Sequence, residues 1–221
     1  MPKAAIFDVD GTLVDSVDLH AHAWVDAFRD FGHHVDFKQM RAQIGKGGDE
    51  LMPVFLSEAE LKQYGEELEN HRGQILKEKY LPRVKGFPQV RELFKRVLED
   101  GKKIVLASSA KKDELEVYKK VADIEDLVPA ETSADDVDKS KPHPDIFEEA
   151  LKRLGVRSDE AIVIGDTPYD AEAAAKAGLR TIGLLCGGWG GEDLRNAGCI
   201  AIYKDPAHLL TAYDQSPLAC D

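Results

Sequence analysis

Short apolar runs recur along the chain and set its architecture. Ala4–Phe7 and Lys103–Ala107, with residues 161–164 and 181–184, are continuous stretches rich in Ile, Val, Leu and Ala, and 200–203 is a weaker one. Strands buried on both faces of a parallel sheet read in this unbroken way. Between the later runs the apolar period changes to that of a helix. Leu93, Phe94, Val97 and Leu98 share a face before Gly101, and Ile146, Phe147, Ala150, Leu151 and Leu154 share another before Gly155. Residues 171–177 end at Gly178, a natural helix stop. Alternation of this kind predicts an α/β fold, a doubly wound, Rossmann-like parallel sheet with helices on both faces.

Residues 16–87 break the alternation. Val17, Ala21, Trp24, Phe28 and Phe31 fall at helical spacing before Gly32, and a charged helical stretch runs from Ser57 to about Lys79. No strand is expected between them. The pattern predicts a helical-bundle cap (16–87) inserted after the first strand of a core formed by 1–15 and 88–221, with 84–88 as the return linker. Asp15-Ser16 and 84–88 are then the only crossings between cap and core, and the hinge candidates. A cap so placed would cover the edge where parallel sheets bind ligands. The tail from Asp214 is expected to be loosely ordered.

Composition narrows the function. The 221 residues suffice for a substantial core. The formal net charge of -12 repels phosphate backbones and argues against nucleic-acid binding. No apolar run approaches the ~20 residues of a membrane span, and the first residues lack the pattern of a signal peptide. Cys186, Cys199 and Cys220 are scattered, without zinc-like spacing. A cytoplasmic monomer acting on a small molecule is the expectation.

The polar clusters follow the apolar runs. Asp8 and Asp10 flank Val9 straight after the first run, and Gly11 permits the turn that brings both carboxylates to one site. Ser108-Ser109 follows the second run, and Gly165-Asp166-Thr167-Pro168-Tyr169-Asp170 the third, with Ser140-Lys141-Pro142-His143-Pro144-Asp145 between them. In a doubly wound sheet these converge on one edge. Carboxylates gathered so closely repel unless a cation neutralises them. Magnesium is the default, taking one or two carboxylates plus water and phosphate oxygens.

Four motifs in order, Asp8-Val-Asp10-Gly-Thr, Ser108, Lys141 in Ser-Lys-Pro-x-Pro-Asp, and Gly165-Asp166-Thr-x-x-Asp170, resemble the haloacid dehalogenase-like hydrolases along essentially the whole chain. The resemblance is to the helical-cap group that includes β-phosphoglucomutase and phosphoglycolate phosphatase. It implies that Asp8 attacks phosphorus to form an aspartyl-phosphate, and that Asp10 protonates the leaving alcohol and then activates water. It implies that Asp8, Asp166 and the backbone carbonyl of Asp10 hold Mg2+, with Asp170 acting through water or by orienting ligands. Ser108, with its neighbour Ser109, and Lys141 would bind phosphoryl oxygens.

Asp10 sets the chemistry. Members that cleave carbon–halogen bonds lack an aspartate there, whereas phosphatases and phosphomutases have it. The stretch from Asp15 to Trp24, including His20, is similar to that of β-phosphoglucomutase. In the cap loop 44–50, however, Gly48 stands where the mutase has a phosphate-gripping arginine, and Lys46 offers only a point charge. A phosphatase is therefore favoured over a mutase. His20, Gly45, Lys46 and Gly47 are the candidate substrate contacts of the cap, with Lys46 the main charged one. Trp24 is expected in the cap core, His143 on a solvent-facing loop, and 187–191 as a flexible loop beside the site with Trp189 exposed. A signalling receiver domain also gathers carboxylates, Ser/Thr and Lys around an aspartyl-phosphate, but it lacks the insert and the Asp-Gly-Thr sequence.

Overall fold

The computed structural model describes residues 1–128 and 130–220. The first half holds β1 (Ala4–Phe7), β2 (Val14–Asp15), α1 (Val17–Asp30), α2 (Phe37–Arg41), α3 (Gly48–Leu51), α4 (Glu58–Ile75) and β3 (Lys85–Gly86). Then come α5 (Val90–Glu99), β4 (Lys103–Ala107), α6 (Lys112–Val121), β5 (Glu131–Thr132), α7 (Asp145–Leu154), β6 (Ala161–Gly165) and α8 (Pro168–Lys176). The chain closes with β7 (Arg180–Leu184), α9 (Gly191–Asn196), β8 (Ala201–Tyr203) and α10 (Pro206–Thr211).

Six strands form one parallel sheet in the order β5-β4-β1-β6-β7-β8. Alternate residues of each strand enter opposite faces, as extended backbone dictates. Ala5, Phe7, Ile104, Leu106, Ile162 and Ile164 join the core that takes in α5 and α6. Ala4, Ile6, Val105, Ala107, Ala161 and Val163 join the core made with α7 and α8. The central strand β1 lies between β4 and β6, with Ile6 level with Val105 on one side and Val163 on the other. Connections leave β1 in both directions, so the crevice beyond its C-terminal end is the topological switch point where such sheets bind ligands.

The helices between Ser16 and Val84 bury their apolar stripe in a separate cluster around Trp24, Phe28, Met40, Leu51, Leu68 and Leu76. α4 starts with a capping box between Ser57 and Glu60 and runs on into a π-turn, Leu76–Tyr80.

Three expectations are corrected. The return linker contains a strand, β3, which pairs antiparallel with β2 and ties Asp15 to Lys85, so the two crossings form one ribbon. Two-residue strands carry no apolar run to reveal them. β5 is likewise set by edge pairing, with the Thr132 hydroxyl bonded to Leu106 O. The tail is packed through Cys220: Ser216 and Leu218 are fully buried, and Arg96 covers the Tyr213 ring while pairing with Asp214 at 2.7 Å. Leu218 and Tyr213 complete the sheet-facing core, which orders the segment.

Candidate active site

The polar clusters converge at the C-terminal ends of β1, β4 and β6. Asp8 follows β1, and the chain turns at once: Thr12 N and Leu13 N both donate to Val9 O. Gly11 makes this turn with φ +80, and a Cβ there would lie 2.5 Å from Asp166 Oδ2. Both conformation and space require glycine. Thr12 Oγ1, fully buried, spans the site at 3.1 Å from Asp8 Oδ2 and 3.0 Å from Asp166 Oδ1.

Asp170 is placed by the start of α8. Thr167 Oγ1 accepts from Asp170 N, and Asp170 Oδ2 accepts from Thr167 N and Oγ1, a reciprocal capping box with Pro168 in the first turn. Its other oxygen, Oδ1, stands 2.7 Å from Lys141 Nζ. Lys141 Nζ also donates to Asp8 Oδ1 at 2.6 Å and to Ala107 O at 3.0 Å, which spends all three ammonium protons. Removing this side chain would leave buried carboxylates uncompensated, at a cost of about 3–5 kcal/mol.

Asp8, Asp166 and Asp170 place carboxylate oxygens within 4.8 Å of one another, all buried. Among the described residues this is the one cluster of acidic, His or Cys side chains fit to hold a metal ion. If all three ionise they exceed Lys141 by two negative charges. Asp166 Oδ2 is buried with no hydrogen-bond partner. The backbone stays open around it: a Cβ on Gly187 would fall 1.6 Å from that same oxygen. An orphaned hard oxygen, excess negative charge and a glycine-lined approach fit a divalent cation with oxygen ligands. Burial pushes the Asp8 carboxyl up to about 7, with Asp170 and Asp10 adding to the shift and Lys141 opposing it. Burial, then the charges of Asp8 and Asp170, hold Asp166 well above its ordinary value.

These shifts carry a sign. A carboxyl raised in the folded state destabilises the fold as pH climbs from the unfolded value, about 3.9, through the folded one. The metal-free protein should therefore lose stability between about pH 4 and 7, and a divalent cation should restore it. At a magnesium concentration about 100 times its Kd the gain is about 2.7 kcal/mol, roughly 5–10 °C in melting temperature. Melting curves at pH 8 should show that gain, and at pH 5.5, where protons compete for Asp8, less than half of it. Equal gains at both pH values would contradict the assignment.

Asp10 is held apart from this cluster. Its Oδ1 accepts from Ser16 Oγ at 2.6 Å and lies 2.9 Å from His20 Nε2, which is also 2.8 Å from the Tyr118 hydroxyl. Burial opposes charge on Asp10, but His20, Ser16 and Lys141 together outweigh it and lower its pKa. Burial and the Asp10 charge push the Tyr118 phenol up.

A cleft between sheet edge and insert is lined by Asp8, Asp10, His20, Lys46, Arg72 and Ser109 among others. Gly45 also lines it, and its carbonyl accepts from Ser109 Oγ at 3.2 Å. Lys46 Nζ donates to Gln43 Oε1 and sits 4.8 Å from the Tyr169 ring centre. Ser108 is fully buried, with its Oγ accepting from Ala110 N. Gly47 does not line the cleft; it packs against Ser140, where a Cβ would lie 1.9 Å from Oγ. Trp24 is in the cap core as expected, and it also walls the cleft. His143 pairs with Glu50 of α3 at 3.1 Å, and Asp49 Oδ2 accepts from Ser140 N. The cap thus grips the segment carrying Lys141. The 187–191 loop is tied down as well: Gly187 O accepts from Arg41 Nη2 at 3.0 Å, and Trp189 is half-buried against Tyr169.

Sequence reasoning passed over Thr12, Ser16, Arg72, Glu114 and Tyr118. Thr12 stands inside the first motif, and Ser16 lies one helical turn before His20, so both were within reach. Arg72 sits in a charged helix that reads as solvated, and nothing local marks Tyr118 or Glu114.

A family model described as haloacid dehalogenase-like hydrolase matches residues 5–184. The chain belongs to the haloacid dehalogenase-like hydrolases. Among curated proteins it is similar to the phosphorylated carbohydrates phosphatase of Thermotoga maritima, 29% identical over 94% of this chain and 96% of that protein. It is also similar to the chloroplastic protein SUPPRESSOR OF QUENCHING 1 of Arabidopsis thaliana, 33% identical over 82% of this chain but spanning only 18% of that protein. A solved hydrolase from Pseudomonas syringae superposes with a TM-score of 0.88 at 29% identity, covering 96% of this chain and 98% of the other. The inserted helical cap and six-stranded sheet are thus those of a haloacid dehalogenase-like enzyme. No helix among the described residues is long and apolar enough to cross a membrane.

Proposed function

We propose that this haloacid dehalogenase-like hydrolase is a magnesium-dependent phosphatase that cleaves a small phosphorylated metabolite through an aspartyl-phosphate at Asp8. The observation that carries the reading is the buried group Asp8, Asp166 and Asp170 around Lys141, at the base of a cleft whose wall holds Asp10. The name of the Thermotoga relative supports the reaction class. Magnesium would be held by Asp8, Asp166 and the Asp10 carbonyl, with Asp170 orienting them, and when bound it would neutralise phosphoryl charge.

The chain's own groups do the rest. Asp8, ionised and fixed by Lys141 and Thr12, attacks phosphorus, so that one hard displacement becomes two easier ones. Asp10 is ionised in the free site. An arriving phosphoryl dianion raises its proton affinity, which suits it to deliver a proton to the leaving oxygen. Once that alcohol departs, the same carboxylate takes a proton from water attacking the intermediate. His20, Ser16 and Tyr118 hold Asp10 in one orientation for both steps. Residues 16–87 act as a cap that excludes water, and the β2–β3 ribbon is where it would hinge.

The mutase reading keeps one observation in its favour, the His20–Asp10 contact. Against it, Gly48 packs on Glu69 and offers no cation.

The test is release of phosphate from an aryl phosphate and from a panel of phosphorylated metabolites, with magnesium and then with chelator. Hydrolysis should vanish in chelator and return on adding magnesium. Full activity in chelator would defeat the proposal. Isomerisation of a sugar phosphate outpacing phosphate release would replace it with the mutase.

A further inference from the structure

We infer that Glu114 decides which leaving groups the site accepts: by committing Arg72 to an ion pair, it keeps the cap from gripping a second phosphoryl group, so monophosphates are favoured over bisphosphates. The inference rests on the phosphatase reading and deepens it.

Arg72 and Lys46 are the two cations that the insert contributes to the cleft lining. A second phosphoryl group needs a strong cationic grip, and a guanidinium, with its fork of donors, is the better of the two. Arg72 is not available for it. It crosses from α4 to Glu114 of α6, with Nη1 3.2 Å from Oε1, and its guanidinium lies 4.9 Å from the Trp24 ring centre. The Glu114 side chain is 1% exposed and that of Arg72 13%. Glu114 Oε2 is buried with no hydrogen-bond partner. The carboxylate therefore leans on Arg72, and a ligand that drew the guanidinium away would strand a buried charge. The pair behaves as a neutral wall. Lys46 remains as the cap's uncommitted cation, and a dianion bound beside it would also face the field of Glu114.

Glu114→Gln should free the guanidinium while keeping the shape of the wall. A hexose monophosphate and the corresponding bisphosphate are compared as competitors of aryl-phosphate hydrolysis. Calorimetric titration with magnesium withheld, where no turnover occurs, gives the same comparison by binding. Wild-type protein should hold the bisphosphate no more tightly than the monophosphate. Glu114→Gln should shift the ratio toward the bisphosphate by about tenfold, and the double variant Glu114→Gln/Arg72→Gln should abolish that gain. A wild-type preference for bisphosphate of about tenfold, or a shift below about threefold in a folded Glu114→Gln protein, would overturn the inference. If Glu114→Gln melts out, the wild-type ratio decides alone. If no monoester is hydrolysed at all, the phosphatase reading fails, and the calorimetric ratio still decides this one.

Discussion

Asp8→Asn should lower turnover of every substrate by at least about 10⁴-fold, the scale on which an enzyme loses its nucleophile. The amide keeps the size of the carboxylate and can still meet Lys141 and Thr12, but it cannot attack phosphorus. A second outcome separates this from simple damage. The Asp8 carboxyl is pushed up to about 7 by burial, so its ionised form is unfavourable in the metal-free fold. Removing that charge should leave the melting temperature at pH 8 without metal equal to or above that of the wild type, while the gain from magnesium shrinks. Activity within about tenfold of wild type would refute the covalent route. A collapse of the fold would refute the electrostatic account of the cluster.

Asp10→Asn should cost 10²–10⁴-fold, the range for loss of a positioned acid–base group. The loss should depend on the leaving group. An aryl oxide departs without much help from a proton, whereas an alkoxide does not. With aryl phosphate the first displacement should therefore survive better than the second, and the phosphoenzyme should accumulate. Rapid-mixing experiments should show a burst of phenol equal to the enzyme concentration, followed by slow turnover. With an alkyl phosphate no burst should appear. Identical losses on both substrates, without a burst, would place Asp10 outside proton transfer.

Much of this was legible in the sequence, for identifiable reasons. Strands such as Ala4–Phe7 and Lys103–Ala107 are buried on both faces and so are written as unbroken apolar runs. The site sits where those runs end, and Asp8, Lys141, Asp166 and Asp170 do meet there. His20, Gly45 and Lys46 do line the cleft. What escaped depends on partners distant in sequence. Lys85 and Gly86 are extended because Val14 and Asp15 lie beside them. Arg72 and Glu114 look like ordinary solvated charges until α4 crosses α6 and buries both. Gly47 has the composition of a ligand loop, yet it is small in order to let Ser140 approach. Local pattern tells which residues an element turns inward, not which charge will meet it there.

The central claim is a phosphoryl group carried on Asp8. Enzyme turning over an aryl phosphate in magnesium is quenched in acid, reduced with borohydride and digested, which converts an acyl phosphate to the alcohol at the residue that bore it. Mass spectrometry of the peptide spanning residues 4–15 should find the reduced side chain at position 8, most abundant in Asp10→Asn and absent in Asp8→Asn or in chelator. Phosphate release at the full rate with position 8 never modified, or modification at another residue, would contradict the account.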